Sequence, residues 1–270
     1  MPARTIARAR ALLLSVVTVI TAGLAPAAAQ ELLPTLPPPP SLAIASAGLS
    51  SLQPAAAVRV QPAAVRLPRC EVGDVRTRYG KVKQWRRTLL DTNLKLRRSY
   101  RPWDLVSVSR AGIAGRGQVR KIMIKDLRAL ARAARRAGKP LAVRSAYRSY
   151  QYQDALFASY TRTYGYAKAL TFSARAGHSE HQLGTTIDFS VGPGVPLSTR
   201  FGDSPSGKWL ARNGWKYGFI MSYPKGKRWA SCYSHEPWHW RYFGRDLARR
   251  IHDSGQVPRR YLYVHFESAP

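Results

Sequence analysis

A break in composition at Cys70 decides which part of this 270-residue chain can fold. Residues 30–68 are rich in Pro, Ala, Ser and Leu, with prolines in a row from Pro37 to Pro40. They hold one acid, Glu31, and two basic residues, Arg59 and Arg66. Such a stretch has little to bury and reads as a linker, locally polyproline II at the proline run. All 7 tryptophans come later, between Trp85 and Trp240. Apolar content then stays steady to the end. Residues 69–270 are therefore expected to make one domain with a sizeable core. No internal repeat is visible.

Residues 1–29 stand apart from that domain. Arg4, Arg8 and Arg10 form a basic start, and 11–25 is an apolar run broken only by Ser15, Thr18, Thr21 and Gly23. Ala27, Ala28 and Ala29 then supply small residues for cleavage. This is the pattern of a secretory signal peptide. An uncleaved anchor is the alternative, but the run falls short of the roughly 20 residues a span needs. No cysteine follows the run and no arginine pair precedes it, so general secretion is the expected route. The cleaved protein is expected outside the cell or in its envelope (periplasm or cell wall), with no stable membrane span. Export puts Cys70 and Cys232 in oxidising surroundings, where an even count suggests a disulfide. Reading Cys232 as a metal ligand or nucleophile would leave Cys70 unpaired there.

Lysines and arginines number 44 against 14 acids, a formal charge of +30. Removing the three arginines of residues 1–29 leaves +27. So basic a chain fits anionic surroundings: cell-wall polymers, a membrane surface or nucleic acid. No nucleic-acid-binding module can be recognised, which sets nucleic acid aside. A monomer is expected.

Within the domain, Ile122, Ile124, Leu127, Leu130, Ala131 and Ala134 recur at helical spacing, predicting a helix over 119–137 stopped by Gly138. Residues 141–147, 185–190, 217–223 and 238–242 read as strands. Residues 150–160, 206–213 and 245–252 read as helices. Helices mixed with short strands, without regular βαβ units, indicate an α+β fold. The expected architecture is a small central antiparallel sheet with flanking helices.

Four of the 6 histidines fall in two clusters, His178 with His181 and His235 with His239. The second cluster, SHEPWHWRY (234–242), spells H-E-x-x-H, the string that binds zinc when it lies on a helix. Pro237 interrupts any such helix, and Trp238, Trp240, Tyr242 and Phe243 favour a strand. A different split suits the residues better. Glu236 sits in a loop as a general base, His239 opens a strand as a metal ligand, and Pro237 bends the chain between them. The other ligands then come from GHSEHQLGTTIDFS (177–190), where His181 and Asp188 flank Gly184. Two histidines and an aspartate leave a fourth position for water, the pattern of catalytic zinc. His178 is left out of this set. His235 is either a neighbour that stabilises substrate or oxyanion, or a solvated side chain. Trp238 and Trp240 are expected in the core.

These blocks resemble a family. S-x-H-x-x-G-x-x-x-D (Ser179, His181, Gly184, Asp188), followed by E-x-x-H-W (Glu236, His239, Trp240), is similar to the VanY-type zinc D-alanyl-D-alanine carboxypeptidases. SAYRSYQYQ (145–153) resembles the family's S-G-Y-R-S-x-x-x-Q block, and RPWDLVSV (101–108) its P-x-D-L segment. The resemblance runs from about Asn93 to Phe243. It implies Zn2+ held by His181, Asp188 and His239 at the face of the sheet, with Glu236 as catalytic base. It implies substrate contacts from Arg148, Ser179, Ser145 and Gln153. Ala146 departs from the family's glycine, and Thr186 stands where the family prefers alanine. The implied activity is D,D-carboxypeptidase action on the peptide stem of peptidoglycan, with anionic wall polymers as surroundings. An endopeptidase or an L,D-carboxypeptidase would use the same zinc site. A non-catalytic wall-binding protein with structural zinc is a third class, but structural sites usually present four, cysteine-rich ligands.

Overall fold

The computed structural model describes residues 65–268, all within the compact unit Val60–Pro270. The expected leader, 1–29, and all but the last residues of the expected linker, 30–68, lie outside the described residues. The strands are β1 (Val75–Arg76), β2 (Leu94–Lys95), β3 (Leu105–Ser107), β4 (Ala114–Gly115), β5 (Gln118–Arg120), β6 (Ala142–Ser145), β7 (Thr186–Ser190), β8 (Phe219–Met221) and β9 (His239–Tyr242). The helices are α1 (Ile124–Arg136), α2 (Tyr150–Tyr164), α3 (Tyr166–Ala169), α4 (Arg200–Asp203), α5 (Pro205–Asn213), α6 (Arg228–Ser231), α7 (Arg245–Asp253) and α8 (Pro258–Leu262). The fold is α+β.

Its main sheet has the order β4-β6-β7-β9-β8. The sheet is mixed, which corrects the purely antiparallel expectation. β6, β7, β9 and β8 pair antiparallel, but the edge strand β4 runs parallel to β6. The connection explains it. The chain leaves β4, passes through β5 and α1, and returns in the same direction, as a parallel pair requires.

Alternation along the strands gives the sheet two chemically different faces. Ile187 and Phe189 of β7 and Trp240 and Tyr242 of β9 join Leu127, Leu130 and Ala134 of α1 in the main core. Asp188 and His239 lie on the other face, directly paired across the β7–β9 ladder. A second core holds Phe243, Leu247 and Ile251 against Tyr261 and Leu262, anchoring the C-terminal helices.

The helix predicted over 119–137 begins later, at Ile124. Val119 instead lies in β5, paired with Val106 of β3, and a 3-10 turn fills Lys121–Met123. Strand pairing wins over helical periodicity there. Ile122, expected on the core face, is 46% exposed. The strand expected over 141–147 shortens to Ala142–Ser145, with an irregularity in register between Val143 and Ser145. The remaining predicted elements appear with shifts of a few residues at their ends.

Cys70 and Cys232 form a disulfide across a sequence separation of 162 residues. It ties the first described segment to the end of α6. Cys232 is also the one described non-glycine residue with a positive φ, 71°. Replacing both cysteines by serine should lower unfolding stability by about 2–5 kcal/mol, read as a lower urea midpoint. An unchanged midpoint would show that the bridge contributes nothing.

Candidate metal centre

The centre is built from two strand residues and one turn. Asp188 and His239 face the same side because they are paired across adjacent strands. His181 comes from the 3-10 turn Glu180–Leu183, which Ser179 opens by accepting a hydrogen bond from the His181 N–H (3.3 Å). Gly184 closes that turn at φ 71°, and a Cβ there would press on Arg120 and Leu105 at 3.0 Å. Glycine therefore serves both the conformation and the close approach.

His181, Asp188 and His239 are all buried and offer ligand atoms within 4.8 Å of one another. His181 Nε2 lies 3.2 Å and His239 Nδ1 3.4 Å from the same oxygen, Asp188 Oδ1. Each ring is oriented by its other nitrogen. His181 Nδ1 is 2.6 Å from the Ala146 carbonyl, which can only accept, so Nδ1 carries the proton and Nε2 faces the centre. The irregularity in β6 just before Ala146 belongs to the stretch that presents this carbonyl. His239 Nε2 is 3.0 Å from Glu180 Oε2, which leaves Nδ1 facing the centre.

The electrostatics favour a cation there. Burial alone would lower the His239 pKa, but Asp188, Glu180 and Glu236 outweigh it and raise it well above the usual histidine value. Burial and the nearby Arg148 charge push His181 down to about 4. Burial would raise Asp188, but His181 and Arg148 hold it well below the ordinary aspartate value. A proton and a metal ion compete for such a place. His181 Nε2 and Asp188 Oδ1 are buried polar atoms without a hydrogen-bond partner. Two imidazole nitrogens and a carboxylate oxygen, with two atoms unsatisfied, fit a zinc ion by donor chemistry.

Glu236 stands beside this set. Its Oε2 is 3.4 Å from His239 Nδ1, and its side chain is 13% exposed. Burial raises its pKa above 4.5, against the lowering effect of His239. The bend expected at Pro237 is present: His239 N–H donates to the Glu236 carbonyl (3.1 Å), closing a turn that delivers the chain into β9. There is no helix over 235–239, so His235 and His239 do not share a helix face. His235 Nδ1 is 3.1 Å from the Tyr223 carbonyl.

The four expected substrate residues divide by position. Arg148 and Ser179 line a chamber of about 340 Å³ that opens over the centre. Arg148 Nη2 donates to Asp188 Oδ2 at 2.6 Å, so the same guanidinium also fixes the aspartate. Ser145 and Gln153 act on Arg148: Nε donates to Ser145 Oγ (3.0 Å) and Nη1 to Gln153 Oε1 (3.4 Å). Gln153 is buried and spends its amide on the Ala174 carbonyl (2.7 Å). His178 is structural, placed between the Asp91 carbonyl (2.9 Å) and Asp74 (3.1 Å). Trp240 is in the core, while Trp238 lines the chamber as well as packing on the core. Tyr160, Phe172 and Tyr223 complete an aromatic wall that no motif signalled.

No sequence motif marks two further residues at the centre, Glu180 and Arg241. Arg241 is wholly buried and donates to Glu180 Oε1 at 2.9 Å. Burial would raise Glu180, but Arg241 and His239 outweigh it and hold the carboxyl at about 2.

The fold and this donor set define a mixed α+β domain with a buried His/Asp/His centre beside a glutamate. The VanY family model, D-alanyl-D-alanine carboxypeptidase, matches residues 116–245. Through those residues the chain belongs to the VanY family. It is 39% identical over 145 residues to the YodJ protein of Bacillus subtilis (strain 168), covering 53% of this chain and 53% of that one. The chain thus spans about half the length of that curated relative. Among solved structures, it is similar to the LdcB LD-carboxypeptidase, with TM-score 0.59 and 34% identity over 64% of this chain and 83% of that one. It is also similar to a variant of the vancomycin-resistance D,D-pentapeptidase VanY in complex with Zn(II), with TM-score 0.56 and 28% identity over 66% of this chain and 99% of that one.

Proposed function

We propose that this chain is an exported zinc-dependent D,D-carboxypeptidase that removes the terminal D-alanine from peptidoglycan stem peptides. The observation that carries this is Glu236 at 3.4 Å from His239, beside three buried metal-type donors at the floor of an open chamber. His181 Nε2, Asp188 Oδ1 and His239 Nδ1 would hold the zinc. When bound, zinc supplies Lewis acidity to the scissile carbonyl and lowers the pKa of a water toward about 7.

The protein's own residues do the rest. Glu236 takes a proton from the attacking water on its carboxylate and returns it to the leaving amine. Its buried setting raises its proton affinity toward that exchange. Arg148 holds Asp188 in place and turns its planar fork toward a substrate carboxylate in the chamber. Ser145 and Gln153 serve substrate indirectly, by setting the Arg148 guanidinium. Ser179 presents its hydroxyl at the chamber wall, and His235 stays on the Tyr223 carbonyl.

Export rests on the leader pattern of residues 1–29, and the disulfide is compatible with an oxidising compartment. No helix of the described residues is long and apolar enough to cross a membrane. The +27 charge beyond the leader suits a catalyst working among anionic wall polymers.

A second reading, L,D-carboxypeptidase, is favoured by the likeness to LdcB. Mass spectrometry of purified protein with defined stems separates the readings. Loss of one alanine from a pentapeptide stem is the expected result. Loss from a tetrapeptide stem alone would replace it with the L,D reading. A mid-stem cut would make the protein an endopeptidase, and no cut by zinc-loaded protein would make it a binder.

A further inference from the structure

We propose that Glu180 is a positioning residue, whose carboxylate fixes the His239 ring and thereby sets how tightly the centre keeps its metal. This rests on the reading of His181, Asp188 and His239 as zinc ligands.

Glu180 is buried between three donors and leaves neither oxygen idle. Its Oε2 accepts from His239 Nε2–H (3.0 Å) and from the Ser222 hydroxyl (2.6 Å), and its Oε1 accepts from Arg241 Nη1 (2.9 Å). Ser222 and Arg241 are also buried. The main chain of Glu180 is held too, since its carbonyl accepts from the Thr186 hydroxyl (3.1 Å). Arg241 cannot swing away. Its Nη2 donates to the Trp85 and Thr88 carbonyls (2.8 and 2.7 Å), and its guanidinium stacks on Phe243 at 4.5 Å. Arg241 follows His239 by two positions on β9, so both side chains point to the same face, where Glu180 meets them.

A buried ion pair is weak evidence for stability, because packed apolar residues often serve as well. Orientation is the better account of this one. The two histidines of the centre are held unequally. His181 leans on a neutral carbonyl, and His239 on a carboxylate that is itself clamped. A carboxylate acceptor at Nε2 locks the ring with Nδ1 toward the centre and makes that nitrogen a stronger donor to a metal.

The test is zinc affinity by competition with a chromophoric chelator, together with thermal melting of the zinc-free protein. Glu180→Gln keeps an acceptor oxygen for His239 but removes the charge. It should weaken zinc binding by about 10–100-fold, and the zinc-free melting temperature should fall as well, because Arg241 is left buried without its charge partner. Ser222→Ala, a milder change that leaves the Glu180–Arg241 pair in place, should weaken binding in the same direction by about two- to tenfold with the zinc-free melting temperature close to that of the parent, and it decides the matter if Glu180→Gln does not fold. Affinities within twofold of the parent in the folded variants would overturn the role given to Glu180 while leaving the metal centre standing. A parent protein that takes up no zinc would overturn both.

Discussion

Glu236→Gln should leave the protein folded and zinc-loaded while kcat falls by about 10²–10⁴-fold, the usual contribution of a positioned acid–base group. The side-chain amide has the same shape but cannot take a proton from water. The surrounding turn does not depend on the carboxylate: Glu236 N–H donates to the Tyr223 carbonyl (3.0 Å) and its own carbonyl accepts from His239 N–H. Zinc should stay because Glu236 is outside the donor set. Steady-state rates on a pentapeptide stem, with zinc content measured on the same sample, check both halves. A variant retaining full activity would remove Glu236 from the mechanism.

His181→Ala should lose stoichiometric zinc altogether, and activity with it. Two protein donors would remain where catalytic zinc generally uses three. The change also strands the Ala146 carbonyl, a buried acceptor whose lost partner costs about 1–3 kcal/mol. Elemental analysis after dialysis measures the loss. His178→Ala is the informative control. That ring joins Asp74 to the Asp91 carbonyl, away from the donor set, so the variant should be less stable but still hold zinc. Zinc retained by His181→Ala would break the ligand assignment.

The contrast between these histidines shows how much was legible in the sequence. His181, Asp188 and His239 could be singled out because spacing, a glycine turn and a proline bend each carry local meaning. The structure brings the three together through one long-range pairing, Asp188 opposite His239. Glu180 sat in the same block beside His181, yet its partners, Ser222, His239 and Arg241, lie 42, 59 and 61 residues further on. No short-range pattern reports such a convergence. The aromatic wall was hidden for the same reason, since Tyr160 of α2 and Trp238 meet only in the folded chamber. Helical periodicity alone starts α1 too early, because pairing with β3 takes residues 118–120 into a strand and Lys121–Met123 form a 3-10 turn before the helix begins. The parallel edge of the sheet needed the path through β5 and α1, which composition and spacing do not reveal.

The central claim is that hydrolysis here depends on the metal centre formed by these three residues. D-alanine release from a pentapeptide stem by chelated protein, followed through a zinc titration, tests it most directly. The expected result is silence without metal and full activity restored at one equivalent of zinc per chain. Undiminished release by exhaustively demetallated protein would contradict it.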